Sequence, residues 1–172
     1  MSLANQPSIL PTVLVLFFGV GCTSPPPTDP QVMTYDLAIS ASEEMNRSSD
    51  GAPSPSLLQA APVIELEPVV TMDLDRLGLD ATETIGAALR GQVAQRVVRP
   101  GTAGEPMTVV AEAAARYIVL FAHHYDTELI DRCAIDLQNL GRRAVSVRIE
   151  ATGLATEQEQ RSGVRLCHTE AG

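Results

Sequence analysis

The sequence predicts an α+β or α/β fold, in which helices flank one mixed β-sheet in a single small domain behind a lipidated N-terminal tether. Residues 117–122 form a continuous apolar run, which is typical of a strand buried on both faces. Residues 133–137 and 145–151 alternate apolar and polar positions around a glycine-containing turn, which indicates a β-hairpin. Residues 81–96 follow a capping box that begins at Asp80, which predicts the longest helix.

The segments before that helix carry weaker patterns. A helix is expected over residues 34–45, because apolar residues recur there at every fourth position: Leu37, Ala41 and Met45. Residues 46–61 are rich in Ser, Pro and Gly, so we expect residues 33–61 to be a short helix and linker. The globular mixed-sheet domain is then expected to span residues 62–172.

Within that domain, a strand is expected over residues 63–70, where Glu65 and Glu67 alternate with apolar residues. The remaining short segments predict, in chain order, a brief strand at residues 97–99, a turn at Pro100-Gly101, a helix at residues 106–115 and a final strand at residues 164–167. In the predicted hairpin, Asp136 and Arg148 are expected to be cross-strand partners.

The N-terminus contains a cysteine, Cys22, directly after a short apolar run at residues 13–21. The run is shorter than the roughly 20 apolar residues that a membrane-spanning helix needs. A short apolar run that ends in small residues is instead typical of a cleaved signal peptide. We therefore expect residues 1–21 to be a lipoprotein signal peptide and the Cys22 thiol to carry acyl chains. An ordinary cleaved signal with an incidental cysteine is the alternative.

Residues 22–32 would then be the lipidated cysteine and a tether. Three consecutive prolines follow Ser24, and proline-rich segments favour the extended polyproline II conformation. Thr23, rather than Asp, follows Cys22, which favours sorting to the outer membrane. The protein is expected to be lipid-anchored at the periplasmic face of that membrane.

Composition excludes several classes of partner. The net charge of −9 argues against nucleic acid, because phosphate binding needs a basic face. The chain has no Trp and only three Tyr and three Phe, so a stacking platform for sugars or bases is not expected. An envelope location makes Cys133 and Cys167 candidates for a disulfide, with two buried thiols as the alternative.

Residues 123–128 are the one cluster that invites a catalytic or metal-binding interpretation. Adjacent histidines on an extended chain point to opposite sides, so His123 and His124 are not expected to share an ion, and the segment is interpreted as a polar loop. The acid pairs at 65/67 and 73/75 are interpreted as solvated. The sequence has no phosphate-binding glycine loop, nucleophile elbow or zinc-protease motif. We expect no enzyme activity, no metal and no cofactor.

The order of motifs resembles the outer-membrane lipoprotein activators of class A penicillin-binding proteins, in their B-type form. The resemblance covers residues 22–152 and includes a helix with Met33-Thr34-Tyr35-Asp36-Leu37 close behind the lipidated cysteine. It continues through the predicted strand and helix to Ala115-Arg116-Tyr117-Ile118-Val119-Leu120 and to the predicted hairpin. It implies a noncatalytic domain that docks on a class A penicillin-binding protein and stimulates peptidoglycan synthesis.

Two other functions fit the same sequence. One is an outer-membrane lipoprotein of another envelope assembly or of a secretion system. The other is a lipoprotein that binds peptidoglycan as OmpA-like domains do, because residues 140–145 faintly resemble the Arg-Arg-Ala segment of that family. The hairpin alternation runs through this segment, however, where OmpA-like proteins have a helix.

Overall fold

The fold is a β-sandwich, and the expectation of one mixed sheet flanked by helices is wrong. A computed structural model describes residues 31–48, 50–72, 74–77, 80–124, 130–140 and 144–169. In this part of the chain a four-stranded and a six-stranded sheet pack face to face. Three short helices cover part of the outer face of the six-stranded sheet.

The elements follow one another mostly as strands. The strands are β1 Val32–Ala41, β2 Ser56–Val63, β3 Ala94–Val98, β4 Glu105–Glu112, β5 Tyr117–His124, β6 Ile130–Asp136, β7 Ala144–Glu150, β8 Gly153–Leu154, β9 Thr156–Arg161 and β10 Val164–Cys167. The helices are α1 Glu67–Thr71, α2 Leu74–Leu77 and α3 Ala81–Ile85, and a 3₁₀ turn at Gly86–Ala88 follows α3.

Each sheet contains strands from distant parts of the sequence. The smaller sheet has the order β4-β1-β7-β8, and the larger has the order β3-β2-β5-β6-β10-β9. Neighbouring strands are antiparallel except that β1 pairs with β7, and β6 with β10, in parallel. A parallel pair cannot be joined by a tight turn, so both of these pairings are long-range.

Strand β5 lies between two hydrophobic cores. Its side chains Ile118, Leu120 and Ala122 enter the core between the sheets. Val119 and Phe121 point the other way and pack under the helices. All five are fully buried, so the prediction of a central strand buried on both faces at residues 117–122 is confirmed.

The helix expected over residues 34–45 is instead mostly strand β1. Every second residue of this strand is buried: Tyr35, Leu37, Ile39 and Ala41. A four-residue spacing is compatible with both a helical and a two-residue period, so Leu37, Ala41 and Met45 could not distinguish them. Leu37 pairs with both Met107 and Val145, which places β1 in the middle of the smaller sheet.

The predictions of a linker at residues 46–61 and of a strand at residues 63–70 are also wrong in large part. Residues 56–61, placed in the linker, form most of β2, whose side chains are buried on both faces and therefore show no alternation. Of the strand expected over residues 63–70, only Val63 lies in a strand. The chain then turns into α1, with Pro68 in its first turn, where proline is tolerated.

The helix expected over residues 81–96 begins as predicted and ends early. Asp80 accepts a hydrogen bond from the Glu83 backbone N–H at 2.9 Å, as the capping box predicts. Gly86, with φ of +57°, then ends the helix; a 3₁₀ turn at Gly86–Ala88 follows, and of the remaining segment only residues 94–96 lie in a strand, β3. The brief strand expected at residues 97–99 lies partly within β3, and Pro100-Gly101 is a turn, as predicted.

The helix expected over residues 106–115 is strand β4, in which Met107, Val109 and Ala111 alternate with more exposed residues. The strand predicted at residues 164–167 is β10, which confirms that prediction.

The predicted hairpin is wrong, although both of its strands exist. Strands β6 and β7 belong to different sheets, and β7 pairs with β1 and β8. The predicted pair of Asp136 and Arg148 is therefore wrong. The Asp136 carboxylate pairs with Arg161 at 3.0 Å, and Arg148 lies 4.0 Å from Glu150. Alternation reports that a strand has one buried face, but it does not report which strand lies beside it.

A disulfide joins Cys133 of β6 to Cys167 of β10, with Cα atoms 4.9 Å apart. Both residues are buried in the core between the sheets. Backbone pairing between these two strands is limited to Leu166 with Ala134. The covalent bond therefore supplements a short ladder and holds the β9–β10 hairpin to the rest of the larger sheet.

Replacing Cys133 and Cys167 together by Ala should lower the free energy of unfolding by about 4 kcal/mol, because the bridge closes a loop with a sequence separation of 34. Urea unfolding with and without a reductant measures this. The reductant should destabilise the native protein and leave the double variant unchanged. Equal stability of the native protein in both conditions would contradict the prediction.

Candidate functional site

The two ends of the sandwich carry different segments of the chain. Residue 31 and the start of β1 define the N-terminal end, where the Ala113 N–H donates to the Gln31 carbonyl at 2.7 Å. The connections after β4 and β6 lie at the same end, because the Arg116 N–H donates to Val63 and the Leu137 N–H donates to Arg116, each at 2.9 Å. Anything attached ahead of residue 31 therefore leaves the domain from this end.

The opposite end, which we call the loop end, carries the connections at residues 42–55, 99–104 and 151–152. The Ala41 N–H donates to the Thr102 carbonyl at 2.8 Å, and the Ser42 N–H donates to Ile149 at 2.9 Å. These bonds bring connections from both sheets together at one end.

Segment 42–55 at the loop end is folded onto the core. Met45 is fully buried between the sheets, and Asn46 is 4% exposed. The Asn46 amide donates to the Pro55 carbonyl at 2.8 Å, and the Ser54 N–H donates to the Asn46 carbonyl at 3.0 Å. Asn46 has φ of +46°, a conformation that asparagine tolerates better than most residues. The sequence predicts a linker at residues 46–61. The sequence signal for an ordered turn is an apolar residue, Met45, followed directly by Asn46.

The loop end is acidic on balance. It carries five carboxylates against four guanidiniums: Glu43, Glu44, Asp50, Glu105 and Glu150 against Arg47, Arg96, Arg99 and Arg148, with Arg96 paired to Glu105. Arg47 pairs with Glu44 at 2.8 Å and donates to the Gly51 carbonyl at 2.8 Å, which fixes the tip of the segment. Hydrogen bonds from the Ser48 hydroxyl and the Ala52 N–H lower the pKa of Asp50, which favours the ionised carboxylate.

Both histidines of the cluster lie near the loop end, at the end of strand β5 rather than in a loop. His123 Nε2 lies 2.8 Å from the Gln59 Oε1, on the face of the sheet that bears the helices. His124 Nδ1 lies 2.9 Å from the Ser56 Oγ, on the face between the sheets. The strand alternation thus points the two rings to opposite faces. Residues 125–128 of the cluster lie outside the described residues.

Ser56, His124 and Asp131 are the types of residue found in a hydrolase triad, but their arrangement serves packing. Ser56 is 1% exposed, which leaves no access for a substrate carbonyl. The Asp131 carboxylate accepts hydrogen bonds from the Leu154 N–H at 2.6 Å and from Arg165 at 2.9 Å. The bond from Leu154 joins β6 of the larger sheet to β8 of the smaller one, and the bond from Arg165 joins β6 to its neighbour β10.

Burial lowers the pKa of His123, and the nearby His124 adds to that shift. Burial also lowers the pKa of His124, while the negative charge of Asp131 acts in the opposite direction. Both rings are therefore favoured in their neutral form in the folded protein.

Several candidate residues from the sequence analysis lie outside the part of the chain that the structure describes. Cys22, the expected signal peptide and the expected tether up to residue 30 lie outside the described residues, as do residues 141–143 of the segment compared with OmpA-like domains. Among the described residues, no group of three or more His, Cys, Asp or Glu side chains is placed to hold a metal ion. In the same part of the chain, no helix has the length and apolar character needed to span a bilayer.

Solved structures with the same fold come from secretion systems. Lip of Serratia marcescens, a membrane-bound component of the type VI secretion system, superposes with a TM-score of 0.60 at 17% identity, over 70% of this chain and 94% of that one. The type VI secretion lipoprotein TssJ1 of Pseudomonas aeruginosa gives 0.57 at 16% identity, over 83% and 99%. A chain of a type VI membrane complex gives 0.58 at 17%, over 73% and 98%.

No protein-family model and no curated protein matches the sequence. The structural neighbours overturn the resemblance to activators of class A penicillin-binding proteins, because the fold is that of type VI secretion lipoproteins. The elements on which that resemblance depended are also different, since the helix behind the tether is a strand and the hairpin does not form.

The two partly buried histidines, His123 and His124, should make the fold less stable in mild acid. Because their folded pKa values lie below the ordinary value of 6.5, the unfolded chain takes up protons first, and stability falls as the pH falls through and below that value. The variant His123→Gln, which keeps an amide beside Gln59, should show a smaller fall than the native protein. Urea midpoints at about pH 7 and about pH 5.5 measure this.

His168→Gln is the matched control, because His168 is exposed. It should reproduce the native pH dependence. A native-like fall in the His123→Gln variant would contradict the assignment of this acid sensitivity to His123.

Proposed function

We propose that this protein is a noncatalytic lipoprotein of a type VI secretion membrane assembly, anchored in the outer membrane through Cys22. The observation that carries the proposal is the shared fold, which spans 94% or more of each of the three neighbouring chains. Two of those chains are described as a lipoprotein and as a membrane-bound component. A fold alone does not define a function, so the proposal needs the anchor and the surface as well.

The position of the N-terminus supports the anchor. Nine residues separate Cys22 from Val32, the first residue of β1. A fully extended chain of that length spans roughly 30 Å. An acylated Cys22 would therefore hold the domain within about that distance of the bilayer, with its N-terminal end towards the lipid and its loop end away from it.

The loop end is the surface that we assign to the protein partner. It is directed away from the proposed anchor, and segment 42–55 is fixed there by Met45 and Asn46. An ordered segment loses little conformational entropy on binding, which favours affinity. The excess of carboxylates at this end favours a partner with a basic surface, because opposite charges steer association.

Replacement of Cys22 by Ser should remove the site of acylation. In cells that carry the native secretion system, the variant should leave the outer-membrane fraction, and secretion of a marker effector should fall to the level of a deletion strain. Thr23→Ser, one residue along, is the control and should behave as the native protein. Normal fractionation of the Cys22→Ser variant would contradict the proposed anchor. Normal secretion by the deletion strain would contradict the proposed role in the secretion system.

Site-specific photo-crosslinking separates the partner surface from the anchor. A crosslinker at Glu43 should capture a component of the secretion membrane complex, whereas one at Val32, which is 63% exposed at the N-terminal end, should not. Capture from Val32 alone would place the interface at the wrong end of the domain.

A further inference from the structure

A polar notch lies at the N-terminal end of the sandwich, on the side of the disulfide. It has a volume of about 260 Å³ and lies where β10 ends between β6 and β9. The apolar residues of its lining, which we call the floor, are Ala134 and Ile135 of β6, Leu140, and Leu166 and Cys167 of β10. Its polar lining consists of Asp136, Asn139, Glu157, Arg161 and Thr169.

One part of the lining is fixed by internal hydrogen bonds. The Asp136 carboxylate accepts from the Gln138 N–H, from the Asn139 side-chain amide and from Arg161, each at 3.0 Å. The Asp136 side chain is 7% exposed, so its charge is compensated within the fold. Because the Asn139 NH₂ group donates to Asp136, its Oδ1 is left as the acceptor of that amide.

The other part of the lining carries an uncompensated negative charge. Glu157 is partly buried at the notch and, among the described residues, has no ion pair or hydrogen bond to its carboxylate. With Asn139 Oδ1 and the Thr169 hydroxyl, it brings the number of hydrogen-bond acceptors among these lining residues to three. A primary ammonium has three donors and no acceptor, and its short aliphatic stem would suit the apolar floor.

We infer that the notch binds the ammonium of a membrane lipid headgroup of the phosphatidylethanolamine type. The choice of a lipid rests on the proposed function, because the notch lies at the end of the domain that the anchor would turn towards the bilayer. The phosphate of such a headgroup would lie next to its ammonium, at the open side of the notch. Binding there would orient the domain on the membrane.

Other headgroups fit less well. The trimethylammonium of phosphatidylcholine has no N–H to donate to the three acceptors. A headgroup with negative charge alone would meet the Glu157 carboxylate in a protein of net charge −9. The inference therefore predicts discrimination by the presence of N–H donors.

Residues 23–172 contain every described element of the fold, so this acyl-free chain is a suitable sample. Short-chain, water-soluble dihexanoylphosphatidylethanolamine is titrated into it and followed through the backbone amide NMR signals. We expect shifts confined to the notch, among them those of Thr169 and Leu166. Dihexanoylphosphatidylcholine at the same concentrations should give none.

The variant Glu157→Gln has nearly the same size without the charge and should bind about tenfold more weakly, since hydrogen bonds between charged groups are the stronger ones. Glu150→Gln, at the loop end, is the matched control and should bind as the native protein. Thermal unfolding of both variants checks that the fold is retained.

Three results would overturn the inference. They are the absence of shifts with either lipid, equal shifts with both lipids, and shifts with Nα-acetyl-lysine amide as strong as those with the ethanolamine lipid. The last result would assign the notch to a lysine of a protein. None of these measurements depends on Cys22 acylation or on secretion, so the inference and the proposed function can fail separately.

Discussion

The fold depends on the burial of strand β5 between two cores. Leu120 on one face and Phe121 on the other are both fully buried, although they are consecutive residues. A strand of this kind must have a layer on each side, because neither face can be left to water. The smaller sheet supplies one layer and the helices supply the other. The three layers and their order follow from this single requirement.

Contacts between backbone segments then close the sandwich at its corners. At one corner, Gly91 has φ of +136°, and a Cβ there would lie 2.3 Å from the Val110 carbonyl oxygen, so that only glycine lets residues 90–92 join β2 to β4. At another, Gly153 has φ of +130°, and a Cβ would lie 2.3 Å from the Asp131 carboxylate that joins β6 to β8. Both glycines leave room for a polar group that connects the two sheets.

Sequence patterns predicted strands with one or two buried faces more reliably than they predicted helices or pairing. The apolar run of β5, the alternation of β7 and the Asp80 cap all depend on local geometry, and each appears in the structure. Strand β6 also exists, but Ala134 is buried along with Cys133 and Ile135, so its burial does not alternate. The errors have physical causes: a four-residue spacing fits both periods in β1, and β2 hides its alternation because both of its faces are buried. The parallel pairing of β1 with β7 crosses about a hundred residues, and no local pattern encodes it. The notch was also beyond prediction, because Asn139, Glu157 and Thr169 meet only after β10 is placed beside β6.

The functional signals in this chain are therefore of two kinds. The proposed anchor depends on a local pattern, a short apolar run followed by Cys22, which can be recognised before any fold is known. The surfaces that would recognise a partner or a lipid have no linear motif, since the loop end and the notch each combine residues from segments that are distant in sequence. The sandwich connects the two kinds by separating its ends. Because β1 runs from the N-terminal end to the loop end in one ten-residue strand, roughly 30 Å at the rise of a β-strand, a tether at one end sets the direction in which the other end is presented. The rigid length of β1 is thus what would convert an anchor at Cys22 into an oriented surface for a partner.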